Sequence, residues 1–312
     1  MRFTIIIPTY NEENDIGDTL EALLNLDYPD QEIIVVDDST DRTPEIVRRY
    51  ADKGVRLIHP GGGGRCEARN IGIREASGEV LVVLNADVRL PVDFLQRLAY
   101  HYRQGADYVL VASRVANRQD LFARYVDGQS KVFYAEAARC NYDNMEWTEG
   151  FSCRKEAALQ AGLFPTGFAV PICAGEDGWF GAGLRNSGAK KVVDLSIIVD
   201  HVVPASFRGY WHCRAEKGVG SAQVHRFLNR WPWWKILVWN SLKTVRRVLW
   251  LATLVPALGA CLNAVRYSDR GMADLLPFFY AYAVEQLAFQ VGDWQATFAI
   301  MKKERVLRIR CE

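Results

Sequence analysis

Short runs of largely apolar residues recur through the first two thirds of this chain. FTIIIP (3–8), IIVV (33–36), VRLI (55–58) and VLVVL (80–84) are too short for helices, and most lack the alternation of a strand with one wet face. Each therefore predicts a strand covered on both sides, as in a parallel sheet flanked by helices. Segments of helical period lie between them: DIGDTLEALLNL, TPEIVRRYADKG with Pro44 in its first turn and Gly54 as its stop, and a helix opened by the flexible run GGGGR. The alternation continues with VDFLQRLAYHYRQ (helix), ADYVLVASRV (strand), LFARYVDGQSKVFYAEAARC (helix), RKEAALQAGLFP (a short helix closed by Gly162 and Pro165), GEDGWFGAGLRNSG (helix) and KKVVDLSIIVDHVV (strand). Strands alternating with helices of this length predict an α/β fold, Rossmann-like, with a mostly parallel central sheet over residues 1–206.

The texture changes over residues 207–312, where the pattern is helical throughout. RWPWWKILVWNSLKTVRRVLWLATLVPALGACLNAV sets Trp231, Trp233, Trp234, Trp239 and Trp250 among Lys235, Lys243, Arg246 and Arg247. From Val248 to Val265 only Thr253 and Asn263 are polar, a stretch of roughly 27 Å at helical rise, barely the thickness of a bilayer core. Pro256 and Gly259 speak against a straight span, and LLPFFYAYAV (275–284) is too short to cross alone. Interfacial or re-entrant helices with aromatic and cationic anchors are the expectation; a buried helical subdomain or dimer interface is the alternative.

Charge sharpens this division. Residues 1–206 hold 22 Lys or Arg against 30 Asp or Glu, and residues 207–312 hold 16 against 7, so a net charge of +1 hides an acidic body and a basic tail. The tail's cations lie among Trp and Leu rather than in a polar arm, which points to an anionic membrane surface or a phosphate-bearing substrate and away from nucleic acid. The seven cysteines form no CxxC pair and are odd in number, which argues against a zinc site and against a secreted disulfide framework; with no export signal visible, the cytoplasmic side of the membrane is the expected location.

In open α/β sheets ligands bind beyond the carboxyl ends of the strands, where this chain places Thr9 and Tyr10, then Asp38, then Asn85, Ala86 and Asp87. A carboxylate on a strand tip suits a hard divalent cation, Mg²⁺ or Mn²⁺, which bridges to substrate phosphates. For any one such acid, turn formation or helix capping is the plainer reading.

The ordered set IIIPTYNEE, EIIVVDDSTD, GGGGRCEARNIGIREASGEVLVVLNAD and GEDGWFGAGLRNSG resembles the family 2 glycosyltransferases with the GT-A fold, over roughly residues 1–205. The resemblance implies a nucleotide site at Pro8, Thr9, Tyr10, Glu12, Asp38, Arg69, Asn85 and Ala86, with Thr9 and Asp38 at the base and Arg69 pairing with phosphate or holding Asp87. Asp87 stands where the family's two-acid metal motif ends. Asn85 replaces the first acid, and His201 would complete the cation's shell. In GEDGW, Asp177 would be the general base of a single inverting displacement, with Glu176 orienting it or the acceptor; the bland alternative is that both acids cap the following helix. Trp147, Glu149 and Trp179 are acceptor candidates, and Arg214 and Lys217 form a possible lid hinged at Gly209 and Gly218.

The expected enzyme moves a sugar from a UDP- or GDP-sugar to a hydroxyl or phosphate acceptor, lipid-linked or a glycan. Self-association stays open. Two other readings remain: a sugar-1-phosphate nucleotidyltransferase, against which PTYNEEND stands where a Gly-rich basic loop is required, and a membrane-attached scaffold that binds nucleotide without turnover.

Overall fold

The computed structural model describes residues 1–142, 147 and 149–311, with side chains as far as 305. Its strands are β1 (Phe3–Thr9), β2 (Gln31–Asp37), β3 (Val55–Ile58), β4 (Val80–Val83), β5 (Val88–Arg89), β6 (Tyr108–Val115), β7 (Phe151–Arg154) and β8 (Lys191–His201). Its helices are α1 (Ile16–Leu24), α2 (Thr43–Arg48), α3 (Gly64–Glu75), α4 (Phe94–Arg103), α5 (Leu121–Arg139), α6 (Lys155–Gln160), α7 (Glu176–Asn186), α8 (Phe207–Gln223), α9 (Trp233–Thr253), α10 (Val255–Val265) and α11 (Leu275–Cys311).

The chain forms two units, residues 1–114, 140–166 and 176–202 in one and 115–139, 167–175 and 203–312 in the other. A division at residue 206 leaves α5 and 167–175 with the sheet, whereas both belong to the helical unit.

In the first unit the strands form one sheet in the order β3-β2-β1-β4-β7-β6-β8-β5. β1 pairs in parallel with β2 (Ile5↔Ile33, Ile7↔Val35) and with β4 (Phe3↔Val80), as continuous apolar runs dictate. Ile5, Ile7, Val35 and Val82 pack with Leu20 and Leu23 of α1 and Phe94 and Leu98 of α4 in one core. The other half of the sheet departs from the mostly parallel expectation. β7 runs antiparallel to both β4 and β6, and β5 runs antiparallel to β8, so the sheet is mixed. β5 has two residues, and β7 sets Ser152 and Arg154 among its four, so neither leaves an apolar run in the sequence.

The helical unit is built on α5 and α8–α11. Phe122 and Tyr125 of α5, Tyr210 of α8, Cys261 of α10, and Phe278 and Tyr282 of α11 form its apolar centre. α8 and α11 cross with almost no space between backbones: a Cβ on Gly218 would lie 2.0 Å from the Phe289 carbonyl oxygen, and one on Gly292 would lie 2.0 Å from that of Ala215. Gly218 is therefore a packing residue inside a continuous helix, not the hinge of a lid, and Gly209 sits in the first turn with its N–H donated to the Ser206 cap at 3.1 Å. No single described helix is long and apolar enough to cross a membrane; α9 and α10 together would be, but they are bent by 75° at their junction.

Candidate active site

The polar residues of the first unit gather where its strands end. Thr9 at the tip of β1 is buried and donates to Asp37 Oδ1 at 2.7 Å, and Ser39 donates to the same oxygen at 2.6 Å. The following loops are laced together: the Asn11 N–H donates to Ser39 Oγ (2.7 Å), the Thr40 N–H to Asn11 Oδ1 (2.9 Å) and the Glu12 N–H to Thr43 Oγ1 (2.9 Å). This frame follows Pro8 and leaves Tyr10 63% exposed and Asp38 half-buried at the edge. Asp37, which the motif reading passed over, is the buried acid of the pair and keeps Oδ2 without a hydrogen-bond partner.

Beyond β4 the chain passes Asn85 and buried Ala86, whose carbonyl accepts from Thr19, and reaches Asp87. The short β5 then pairs with β8 (Val88↔His201), and this pairing brings His201 Nε2 to 3.1 Å from Asp87 Oδ2. Glu12 lies on the same side: burial first, then the charges of Asp87 and Asp15, push its pKa up to about 7.

Arg69 takes a different place from the one expected. It is 1% exposed, donates to Glu176 Oε1 at 2.6 Å, reaches Asn85 Oδ1 at 3.4 Å and lies over the Phe164 ring at 4.9 Å. It contacts neither Asp87 nor open space for a phosphate; it ties α3, the tip of β4 and the start of α7 together. The half-exposed cation here is Arg65, 3.9 Å from Glu176, which the sequence reading treated as part of a flexible loop.

Burial alone would raise Glu176, but the Arg69 and Arg65 guanidinium groups hold its carboxyl below the usual range. Asp177, its neighbour in the first turn of α7, is pushed the other way to about 6, by burial and then by the Glu176 charge, with Glu149 adding to the rise. The Gly178 N–H donates to Asp177 Oδ1 at 2.8 Å and opposes the rise without cancelling it. Two adjacent acids thus differ in kind: one fixed as an anion, the other poised to take a proton near neutral pH.

The acceptor candidates divide. Trp179 is 47% exposed beside this pair and Glu149 is half-buried near it. Trp147 is 6% exposed and donates its indole N–H to the Val111 carbonyl at 2.6 Å, so it is a core residue and faces no acceptor. Arg214 belongs to the helical unit, buried, 3.6 Å from Glu285 and over the Tyr210 ring at 4.9 Å; it is packed there and is no exposed lid cation. Lys217 is exposed on the same helix.

The model of "Glycosyl transferase family 2" matches residues 4–158, which contain the β1, β2, α3 and β4 segments that build this rim. That segment, about half of the chain, belongs to that family. The poly(ribitol-phosphate) β-N-acetylglucosaminyltransferase TarS of Staphylococcus aureus is 38% identical over 93 residues, 28% of this chain and 16% of TarS. A dolichol-phosphate mannosyltransferase of Pyrococcus furiosus is 31% identical over 185 residues, 54% of this chain and 51% of the relative. The chain thus spans about half or less of the length of these relatives. Among solved structures, the mannosyltransferase PcManGT of Pyrobaculum calidifontis in complex with GDP-Man and Mn²⁺ superposes with a TM-score of 0.60 at 22% identity, covering 95% of this chain and 87% of that one. TarS 1–349 in complex with UDP-GlcNAc superposes at 0.54 and 18% identity, covering 94% and 90%. These likenesses show the GT-A fold.

For a family 2 member the donor set toward a metal is sparse. Among the described residues no group of three His, Cys, Asp or Glu is arranged to hold an ion. Yet Asp87 Oδ1 is buried with no hydrogen-bond partner, and His201 lies beside the other oxygen, so these two side chains would suit a hard cation that found its other ligands outside the protein.

Proposed function

We propose that this chain transfers a sugar from a nucleoside-diphosphate sugar to an acceptor hydroxyl or phosphate, with inversion at the anomeric carbon. The observation that carries the reading is the pair at the start of α7: Asp177 raised to about 6, beside a Glu176 locked by Arg69, whose other nitrogen reaches the Asn85 that precedes Asp87. One buried guanidinium thus ties Glu176, the neighbour of the proposed base, to Asn85 on the donor side.

Asp177 takes the proton of the acceptor hydroxyl as its oxygen attacks the anomeric carbon; the bond to the nucleoside diphosphate breaks on the opposite face, and its electron pair leaves on the phosphate oxygen. Asp38 and the loop at Tyr10 receive the base, and Arg65 meets the diphosphate. Asp87 and His201 would hold Mg²⁺ or Mn²⁺, which when bound supplies positive charge to the leaving group. A UDP- or GDP-sugar is the donor class, supported by the UDP-GlcNAc and GDP-Man bound to the two structural neighbours. The acceptor is proposed to be lipid-linked or a glycan, met at the cytoplasmic face of a membrane; the basic, Trp-rich helices and the dolichol-phosphate relative support this.

The test is transfer of radiolabelled sugar from UDP-GlcNAc and GDP-Man into lipid extracts and soluble glycans, with wild type and Asp177→Asn. Transfer abolished in the variant supports the proposal. Undiminished transfer, or synthesis of a nucleotide-sugar from a nucleoside triphosphate and sugar 1-phosphate, overturns it.

A further inference from the structure

An exposed apolar stripe runs along α9 in the helical unit, and that helix is inside out. Asn240, wholly buried, donates to Asp293 Oδ1 at 3.0 Å and to Thr297 Oγ1 at 2.9 Å; Lys243 pairs with Asp293, and Arg247 donates to Gln286 at 3.0 Å and to Gln290. These polar groups sit at helical spacing on the face turned toward α11. Trp234, Val238, Leu242, Val245 and Leu249 follow one another by four, four, three and four residues on the opposite face and are 53–68% exposed. A helix packed on a protein core in water shows the reverse arrangement.

We propose that this outward face of α9 is the surface by which the protein adsorbs to an anionic lipid bilayer, the helix lying along the interface. The inference rests on the membrane-surface part of the reading above and names the face that carries it. Charge complementarity selects lipid as the occupant. Exposed Lys235 and Arg246 border the stripe, each beside a tryptophan ring: Lys235 Nζ is 4.0 Å from the Trp231 centroid and Arg246 Cζ is 4.8 Å from that of Trp250. Cations and indoles in this arrangement suit the headgroup layer. Residues 229–305 contain five acids, and Asp274, Glu285, Asp293 and Glu304 are turned inward onto Arg124, Arg214, Lys243 and Arg226; Asp269 alone is exposed. Two copies of this face would bring cation borders together, whereas phosphate headgroups neutralise them. The inner polar row and the 75° bend beyond Leu254, which has a φ of 59°, place α9 along the membrane and not across it.

The test is flotation of the full chain with phosphatidylcholine vesicles, with and without phosphatidylglycerol, in the absence of nucleotide-sugar. Wild type is expected to float with anionic vesicles and less with neutral ones. Leu242→Gln/Val245→Gln/Leu249→Gln should lose at least tenfold in binding to both. Lys235→Gln/Arg246→Gln should lose roughly 25-fold on anionic vesicles, at about 1 kcal/mol per cation, and nothing on neutral ones. Wild type that stays unbound overturns the proposal, as does a triple variant that floats undiminished. So does a wild-type dimer in buffer that the triple variant dissolves while vesicle binding persists. Asp177→Asn should float as wild type does while losing transfer, which separates failure of this inference from failure of the catalytic reading.

Discussion

Glu176 and Asp177 share one turn of helix and differ because their neighbours differ. Arg69 and Arg65 hold Glu176 ionised against its burial, and that fixed charge helps to raise Asp177 to about 6. A base must be deprotonated to act, so kcat/KM should fall as pH drops through about 6. Glu176→Gln removes a charge that raises Asp177, and the acidic limb should move to lower pH; an unmoved limb would detach the two groups. Asp177→Asn should lower kcat by about 10²–10⁴-fold in single-turnover assays. Arg69 and Arg65 separate structure from binding at the same helix end. Arg69→Met strands a buried carboxylate and should cost about 3–5 kcal/mol in urea unfolding, whereas Arg65→Ala, at a half-exposed position, should leave stability within about 0.5 kcal/mol and weaken donor binding.

At the scale of elements, two ties can be probed. Glu32 of β2 accepts from Thr4 Oγ1 (2.8 Å), the Ser77 N–H (2.9 Å), Ser77 Oγ (2.8 Å) and Arg56 (2.8 Å), joining β1, β2 and β3 to the turn before β4. Burial opposes the charge, but these bonds win and hold its pKa at about 2 against an ordinary 4.5. A lowered carboxylate stabilises the fold above its unfolded pKa, so on the order of 3 kcal/mol should be lost as pH falls from 4.5 toward 2, and Glu32→Gln should remove that slope from acid unfolding curves. In the helical unit, alanine at Gly218 or Gly292 would stabilise an isolated helix by about 1 kcal/mol. At the α8–α11 crossing the same change should instead cost about 1–3 kcal/mol, because the backbones must separate.

The elements themselves were unevenly legible. β1, β2 and β4 announce themselves as apolar runs, and the acids at their tips follow from where such strands end. β5 is two residues long and β7 sets Ser152 and Arg154 among its four, so neither shows as an apolar run and the mixed sheet is not readable from the pattern; that Asp87 and His201 share a site follows from the family resemblance and not from the pattern, since the pairing joins distant residues. The place of Arg69 did leave a signal: Cys66, Arg69, Asn70 and Ile73 fall on one helical face and all four are buried. Tyr210, Arg214 and Gly218 mark the inner face of α8 in the same way.

For the molecule as a whole, the proposed two-ligand metal site has a thermodynamic consequence. If the cation is held by Asp87 and His201, as proposed, a cation alone gains few ligands in exchange for its water, and a nucleotide alone would bring a diphosphate beside Asp87 and Glu12. Each completes the site for the other, so their binding should be coupled. A ligand that binds only the folded state stabilises it by RT ln(1 + [L]/Kd), about 2.7 kcal/mol at a hundredfold excess over Kd. Mn²⁺ alone and UDP or GDP alone should therefore shift the thermal midpoint little, and the pair by more than the sum of the two, with EDTA returning it to the nucleotide-only value. Asp87→Asn should abolish the excess and leave the midpoint of the free protein nearly unchanged, because one oxygen of that carboxylate has no partner to lose. Additive shifts, or an excess that survives in Asp87→Asn, would place the cation on other ligands.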